Sequence, residues 1–128
     1  MNLLFDTHTF IWWDSTPDKL SSQILGLCRD EGNSLWLSVA SLWEIQIKHQ
    51  LGKLELHQPL GEIVAQQQQL NRITLLPVEF AHVLALEQLP LYHKDPFDRL
   101  IIAQARVENL TIMSVDSFFG AYGIDVLS

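Results

Sequence analysis

The stretch NLLFD at residues 2–6 decides the fold, because it is a short apolar run that ends at an aspartate. The stretch TIMSVD at residues 111–116 has the same arrangement near the other end of the chain. Short apolar runs of this length predict buried strands. We therefore predict strands at residues 2–5 and 111–115, with three more of the same kind at 35–37, 73–76 and 124–127.

Helical patterns separate the predicted strands. They run over residues 21–30, 39–50, 60–70, 79–88 and 96–108. This alternation predicts an α/β fold of three layers, in which helices cover both faces of a central, mainly parallel sheet of about five strands. No internal repeat or linker divides the chain, so its 128 residues predict a single domain over 1–128.

The composition excludes several classes of protein. The formal net charge of −7 argues against a protein that coats nucleic acid through a broad basic surface. Cys28 is the single cysteine, which excludes an internal disulfide and a thiolate zinc cluster. No apolar run approaches the ~20 residues that span a bilayer, and the chain starts without a secretory signal. We therefore expect a soluble, cytoplasmic protein with no membrane association.

Two aspartates follow predicted strands, and this matched position is the first indication of function. Asp6 follows the run at 2–5, and Asp116 follows the run at 111–115. If the two strands are parallel neighbours, both carboxylates leave toward the same sheet edge, where α/β folds bind their ligands. A single aspartate in such a position more often starts a turn or caps a helix. Two in matched positions favour a shared site.

Asp98 is the third candidate. The sequence DPFD at 95–98 suits a helix start, with Asp95 at the N-cap, Pro96 at the first helical position and Asp98 in the first turn. Capping alone would explain both aspartates. Beside a sheet edge, however, a first-turn carboxylate can also serve as an oxygen ligand. We therefore predict that Asp98 is a ligand and that Asp95 is the cap.

Glu44 is the fourth candidate, and it interrupts an apolar helical stretch. It is predicted either to pair with Lys48 one turn later or to point into a partly enclosed cleft. Four carboxylates at one sheet edge would suit hard cations such as Mg²⁺ and Mn²⁺, which prefer oxygen ligands and can assist phosphodiester hydrolysis. Without metal, such clustering would raise pKa values, so divalent ions are expected to stabilise the fold.

Several motifs together resemble one family, and they span almost the whole chain. They are LFDTH at 4–8, SVASLWEI at 38–45, HKDPFDRLIIAQA at 93–105, SVD at 114–116 and YG at 122–123. In order and spacing these motifs resemble PIN-domain ribonucleases of the VapC toxin type. The resemblance is more specific than any single acid, because no member of the family's acidic quartet is missing.

The resemblance implies a PIN-like fold and a Mg²⁺- or Mn²⁺-dependent endoribonuclease that acts as the toxin of a toxin-antitoxin pair. It also implies an RNA substrate, a homodimer and silencing by a cognate antitoxin. The family's catalytic, metal-binding acids correspond to Asp6, Glu44, Asp98 and Asp116. Thr7 and Ser114 correspond to small hydroxyl positions that support the site.

Further residues are candidates for contacts with partners. Lys48, Lys94 and Arg99 are the basic residues nearest the acids in sequence, and they could meet RNA phosphates, although exposed, solvated cations are the commoner outcome. The aromatic stretch FIWW at 10–13 is the candidate partner surface, since four tryptophans exceed what a core of this size requires.

Two alternative functions stay open at this point. A Mg²⁺-dependent phosphatase on a similar sheet would want a second aspartate two residues after Asp6, where His8 stands. A non-catalytic binding module would use the acids as caps and turn residues only. There is no glycine-rich phosphate loop, so nucleotide hydrolysis and hydride transfer have no visible site.

Overall fold

Five parallel strands form one central sheet in the computed structural model, which describes residues 1–92 and 95–128, with the backbone alone at 117 and 118. The strands are β1 (Asn2–Phe5), β2 (Ser34–Ser38), β3 (Thr74–Leu76), β4 (Thr111–Met113) and β5 (Val126–Leu127). Their order across the sheet is β3-β2-β1-β4-β5, and every neighbouring pair is parallel. The predicted parallel sheet is confirmed.

Strand β1 lies at the centre of the sheet, and Leu3, Leu4 and Phe5 in it are fully buried. Burial of every residue is expected where helices cover both faces of a parallel sheet. The strand order reverses beside β1, since β2 and β3 lie on one side of it and β4 and β5 on the other. Phe5 pairs with Met113, so the chain leaves β1 and β4 side by side at this switch point.

Six α-helices are present in the described residues, and they cover the two faces of the sheet. They are α1 (Thr7–Ser15), α2 (Ser22–Arg29), α3 (Val39–Gln50), α4 (Leu60–Asn71), α5 (Phe80–Ala85) and α6 (Pro96–Glu108). Helices α1 to α4 contribute to a core on the face of Leu3 and Phe5, while α5 and α6 pack on the face of Leu4. The three predicted layers are therefore confirmed. In the part of the chain that the structure describes, no helix is long and apolar enough to cross a membrane.

The aromatic stretch at 10–13 lies in helix α1, and part of it belongs to the core. Phe10 is buried, and the rings of Phe5 and Trp13 stack with their centroids 4.9 Å apart. Ile11 and Trp12 are half-buried and pack against the same core. Packing onto the sheet therefore accounts for much of the aromatic surface that the sequence offered as a partner site.

Several boundaries differ from the sequence prediction, and each difference has a local cause. Strand β4 ends at Met113, two residues before the predicted end, because the Ser114 side chain turns to hydrogen-bond Asp6 and the backbone of Asp116. The helix predicted at 79–88 is α5 followed by a 3-10 segment, Leu86–Gln88. Helices α3 and α6 have the predicted bounds, and Asp95 caps α6 as expected.

A buried polar contact ties the two layers of helices to the sheet. Gln104 of α6 is fully buried, and its Oε1 accepts a hydrogen bond from Ser38 Oγ at the end of β2, at 2.5 Å. Its Nε2 donates to the carbonyl of Pro77, after β3, at 3.1 Å. Ser38 Oγ also accepts from the backbone N–H of Ala40 and so caps α3. One side chain thus joins the ends of two strands to two helices.

Replacement of Gln104 by alanine should destabilise the protein by about 2–4 kcal/mol, because it leaves a cavity and two buried polar groups without their partner. The free energy of unfolding, measured by chemical denaturation, checks this. Gln68→Ala is the matched control, since Gln68 is exposed on α4 and its loss should change stability by less than about 0.5 kcal/mol. Equal stability of the two variants would contradict the role given to Gln104.

Candidate active site at the carboxyl edge of the sheet

Asp6 and Ser114 meet where the central strands end. Asp6 directly follows β1 and is buried, and its backbone N–H donates to the carbonyl of Met113 at 3.1 Å. The Ser114 hydroxyl donates to Asp6 Oδ2 at 2.9 Å and accepts from the backbone N–H of Asp116 at 2.9 Å. One hydroxyl therefore orients the first aspartate and holds the loop that carries the last one.

Thr7 and Ser41 form a second hydroxyl pair beside Asp6. Both side chains are buried, and Thr7 Oγ1 donates to Ser41 Oγ at 2.9 Å. This contact joins the start of α1 to α3, the helix that carries Glu44. Ser41 is not among the site residues predicted from the sequence. It could have been found from its position, because a small polar residue three positions before Glu44 on an apolar helix lies on the same helical face as Glu44.

Asp98 lies in the first turn of α6, and the cap of that helix positions it. Asp95 Oδ1 accepts from the backbone N–H groups of Phe97, at 2.8 Å, and of Asp98 itself, at 3.1 Å. Pro96 occupies the first turn, where its missing N–H leaves no bond unmade. The fully buried Ile101 and Ile102 then anchor the helix against the sheet.

Glu44 combines the two alternatives that the sequence left open. Its side chain is only 6% exposed, and its Oε2 accepts a hydrogen bond from Lys48 Nζ one turn later at 2.7 Å. The other carboxylate oxygen, Oε1, is buried and has no hydrogen-bond partner among the described residues. A buried carboxylate oxygen without a partner is costly, so this atom is well suited to accept a cation or a donor from a ligand.

The four acids interact electrostatically around Asp98. Burial is the largest cause of a raised pKa at the Asp98 carboxyl, and together with the charges of nearby acids it brings that pKa to about 7. Besides its neighbour Asp95, these acids are Asp6, Glu44 and Asp116. The fold therefore brings together, within electrostatic range of Asp98, all four carboxylates that the sequence predicted.

Asp6 experiences opposing influences. Burial raises the pKa of its carboxyl, and the charge of Asp116 raises it as well. The hydrogen bond from Ser114 and the nearby His8 lower the pKa in part. The pKa of Asp6 is raised overall, because burial disfavours the ionised carboxylate. A proton and a cation would therefore compete for this carboxyl group.

The chemistry of this site fits a hard divalent cation. All four candidate side chains offer carboxylate oxygens, and Glu44 Oε1 has no hydrogen-bond partner in the part of the chain that the structure describes. Across residues 1–92 and 95–128, no three acidic, histidine or cysteine side chains already stand in an arrangement that could hold a metal ion. The acids thus lie near enough to repel one another, but they are not arranged in the geometry of a metal-coordination site.

The predicted basic residues lie in different surroundings. Lys48 pairs with Glu44, as described. Arg99 Nη2 donates to the carbonyls of Leu86 and Leu89, at 3.3 and 3.2 Å, and no described residue bonds to its buried Nε. Lys94 lies outside the described residues. Arg99 therefore holds the 3-10 segment after α5 against α6.

A shallow cleft adjoins this edge of the sheet. It has a volume of about 220 Å³ and is lined by Ser114, Val115, Asp116, Gly120, Val126 and Ser128. Fold and site together define a class of protein, the three-layer α/β domains that gather acids beyond the carboxyl ends of their central strands.

The chain belongs to the PIN domain family, since the sequence profile of that family matches residues 3–124. This match confirms the resemblance inferred from the motifs. Among curated proteins, none matches the sequence significantly.

Several solved structures contain chains with a similar fold. One is in the structure of VapBC2 from Rickettsia felis bound to a promoter DNA fragment, with a TM-score of 0.74 and 16% identity, covering 99% of this chain and 98% of that one. Another is in VapBC-1 from nontypeable Haemophilus influenzae, with a TM-score of 0.70 and 15% identity, covering 100% and 98%. A third is in FitAcB from Neisseria gonorrhoeae, with a TM-score of 0.64 and 19% identity, covering 98% and 96%. At these identities the likeness shows a shared fold.

Replacement of Asp98 by asparagine should stabilise the metal-free protein at pH 8 by about 1–2 kcal/mol. The gain is limited to this size because solvent screens the charge of a partly exposed carboxyl. The folded protein holds the Asp98 proton up to a pKa of about 7, whereas the unfolded chain releases it near 3.8. Stability of the wild type therefore falls as pH rises between about 4 and 7. Thermal unfolding in a chelator at pH 5 and pH 8 measures the difference.

Asp125→Asn is the control for this comparison, because Asp125 is exposed and precedes β5 at the opposite edge of the sheet. It should show no comparable stabilisation at pH 8. If the Asp98→Asn variant were less stable than the wild type by the same amount at pH 5 and pH 8, the electrostatic account would be wrong.

Proposed function

We propose that residues 1–128 form one PIN-like nuclease domain, a Mg²⁺- or Mn²⁺-dependent endoribonuclease of the VapC type. In this proposal the protein is the toxin of a toxin-antitoxin pair and acts in the cytoplasm. The observation that carries it is the convergence of three distant acids, Asp6, Glu44 and Asp116, on the carboxyl of Asp98, whose pKa burial, first, and then the charges of Asp95 and of these acids raise to about 7. Caps and turn residues would not need to converge.

The donors of the site would be the carboxylates of Asp6, Glu44, Asp98 and Asp116. A hard dication bound there supplies activation of water and charge neutralisation at the phosphodiester, the chemistry that RNA hydrolysis requires. The four acids repel one another without a cation, so they would bind one strongly once ionised. RNA is the substrate class that we propose.

Other residues would position the acids and the substrate. The Ser114 hydroxyl holds the Asp6 carboxylate in one orientation, and the Thr7–Ser41 pair fixes the start of α1 beside it. Lys48 is the basic side chain paired with an acid of the site, and it would contact an RNA phosphate once a cation relieves Glu44. We restrict this proposal to Lys48, because backbone carbonyls already occupy Arg99.

The partners are proposed from the fold neighbours. Structures with a similar chain are described as VapBC complexes, and another as a toxin-antitoxin complex from Klebsiella pneumoniae. We infer from the family resemblance that this chain forms a homodimer, and from these neighbours that it binds a cognate antitoxin that silences it. Co-expression with the protein encoded beside it, followed by co-purification and relief of toxicity, tests the second part.

Neutralisation of one acid should abolish RNA cleavage without unfolding the protein. Asp6→Asn and Asp98→Asn should each lower the rate of cleavage of structured RNA in Mg²⁺ or Mn²⁺ by at least about 100-fold, because each removes a donor for the cation. Asp98→Asn should do so while it gains thermal stability, as a residue kept for function and not for folding would. Gel assays of RNA cleavage, with and without chelator, give the measurement.

The matched control is again Asp125→Asn, which removes one negative charge at the opposite edge and should cleave like the wild type. Cleavage that persists in chelator, or in both site variants, would contradict the proposal. A wild-type chain whose melting temperature ignores Mg²⁺ and Mn²⁺ would favour a non-catalytic module instead.

A further inference from the structure

Trp43 is an exposed aromatic residue next to the acidic site. Its side chain is 62% exposed, although it directly precedes the buried Glu44 on α3. It contacts Phe97, which directly precedes Asp98 on α6, with ring centroids 5.2 Å apart and ring planes at 86°. Trp43 of α3 therefore contacts Phe97 of α6, and the residues that follow them, Glu44 and Asp98, interact electrostatically.

The edge-on geometry leaves most of the indole open. In a perpendicular arrangement, Phe97 can cover at most one face of the Trp43 ring, and the 62% exposure of the side chain leaves much of the ring surface open to a ligand. Among the tryptophans, Trp12, Trp13 and Trp36 are half-buried, so Trp43 is the one that the core does not hold.

An acidic nuclease must bind a polyanion with little help from basic residues. The chain has 8 lysines and arginines and 15 acids. Of the described basic residues predicted to meet phosphates, Lys48 pairs with Glu44 and Arg99 bonds to backbone carbonyls. Stacking of a base on an aromatic ring supplies affinity that needs no positive charge, and it requires a base that is unpaired.

We propose that Trp43, supported by Phe97, stacks on an unpaired nucleobase of the RNA close to the bond that is cut. This inference rests on the proposed ribonuclease function and adds to it a specific contact between the chain and a base of the RNA. Trp43 is then a positioning residue for substrate, because it touches a base and not the reacting phosphate.

The direct test is binding of a short oligoadenylate, compared with an abasic oligonucleotide of the same length and charge. In the Asp6→Asn background, which prevents cleavage, Trp43→Ala should weaken oligoadenylate binding about 5- to 100-fold. Binding of the abasic strand should stay the same, because it has phosphates but no bases. Trp43→Phe should keep most of the affinity, since it keeps an aromatic face. Fluorescence anisotropy of labelled strands measures all three.

Cleavage kinetics give a second readout. In the otherwise wild-type chain, Trp43→Ala should raise KM by a similar factor and leave kcat within about twofold, as expected for loss of a ground-state contact. Phe80→Ala is the control, because Phe80 is 77% exposed and begins α5, distant in sequence from all four acids. It should change neither constant. An unchanged melting temperature shows that each variant is folded.

The outcomes separate this inference from the function on which it rests. Equal oligoadenylate affinity with and without the indole overturns it. Conversion of a dimer to a monomer by Trp43→Ala, with RNA affinity intact, also overturns it and assigns the indole to a protein interface. Base-dependent binding through Trp43 by a wild-type chain that cleaves no RNA would support stacking and defeat the nuclease proposal.

Discussion

The parallel pairing of β1 with β4 is the constraint on which the rest of the structure depends. Phe5 stands opposite Met113, so the next residues leave the two strands together, and Ser114 reaches Asp6 at 2.9 Å. A slip of one residue would turn alternate side chains to the wrong face of a sheet whose centre is buried on both sides. The register therefore decides the core and the candidate site at once. Helices α3 and α6 then add their acids to an edge whose geometry the two strands have already set.

The site works against the stability of the fold that builds it. Burial and mutual repulsion make the ionised Asp98 unfavourable, and one buried oxygen of Glu44 has no hydrogen-bond partner within residues 1–92 and 95–128. The surrounding structure offsets this, because α6 buries Ile101 and Ile102 completely, and Lys48 neutralises part of the charge on Glu44. Local unfavourable electrostatics inside a well-packed frame are typical of positions kept for binding or chemistry. A divalent cation is the ligand that would remove the conflict.

Sequence patterns were most informative where the signal was local. Helices α3 and α6 have the predicted bounds because capping residues and a proline stop or start them, and the buried parallel strands read as apolar runs. The approach of Glu44 to Asp98 could not be predicted from residues alone, since it depends on how α3 packs against α6 across the sheet edge. The partners of Gln104 could not be predicted either. A single glutamine in a helix does not reveal that its side chain joins Ser38 to the backbone beyond β3. Strand β4 ends earlier than its apolar pattern predicts, because the Ser114 hydroxyl bonds to the Asp6 carboxylate and to the backbone N–H of Asp116.

The net charge and the proposed substrate conflict only if electrostatics is averaged over the whole molecule. A charge of −7 repels RNA at long range, yet the acids that lie close together are those that a cation would neutralise. Once neutralised, the same edge would present positive metal charge to a phosphate, with Lys48 released from Glu44 and the Trp43 ring beside it. Binding would then depend first on the cation and only second on the protein's own basic residues. In such a design the negative charge of the rest of the chain would also disfavour non-specific coating of nucleic acid, so RNA would bind mainly at the candidate site.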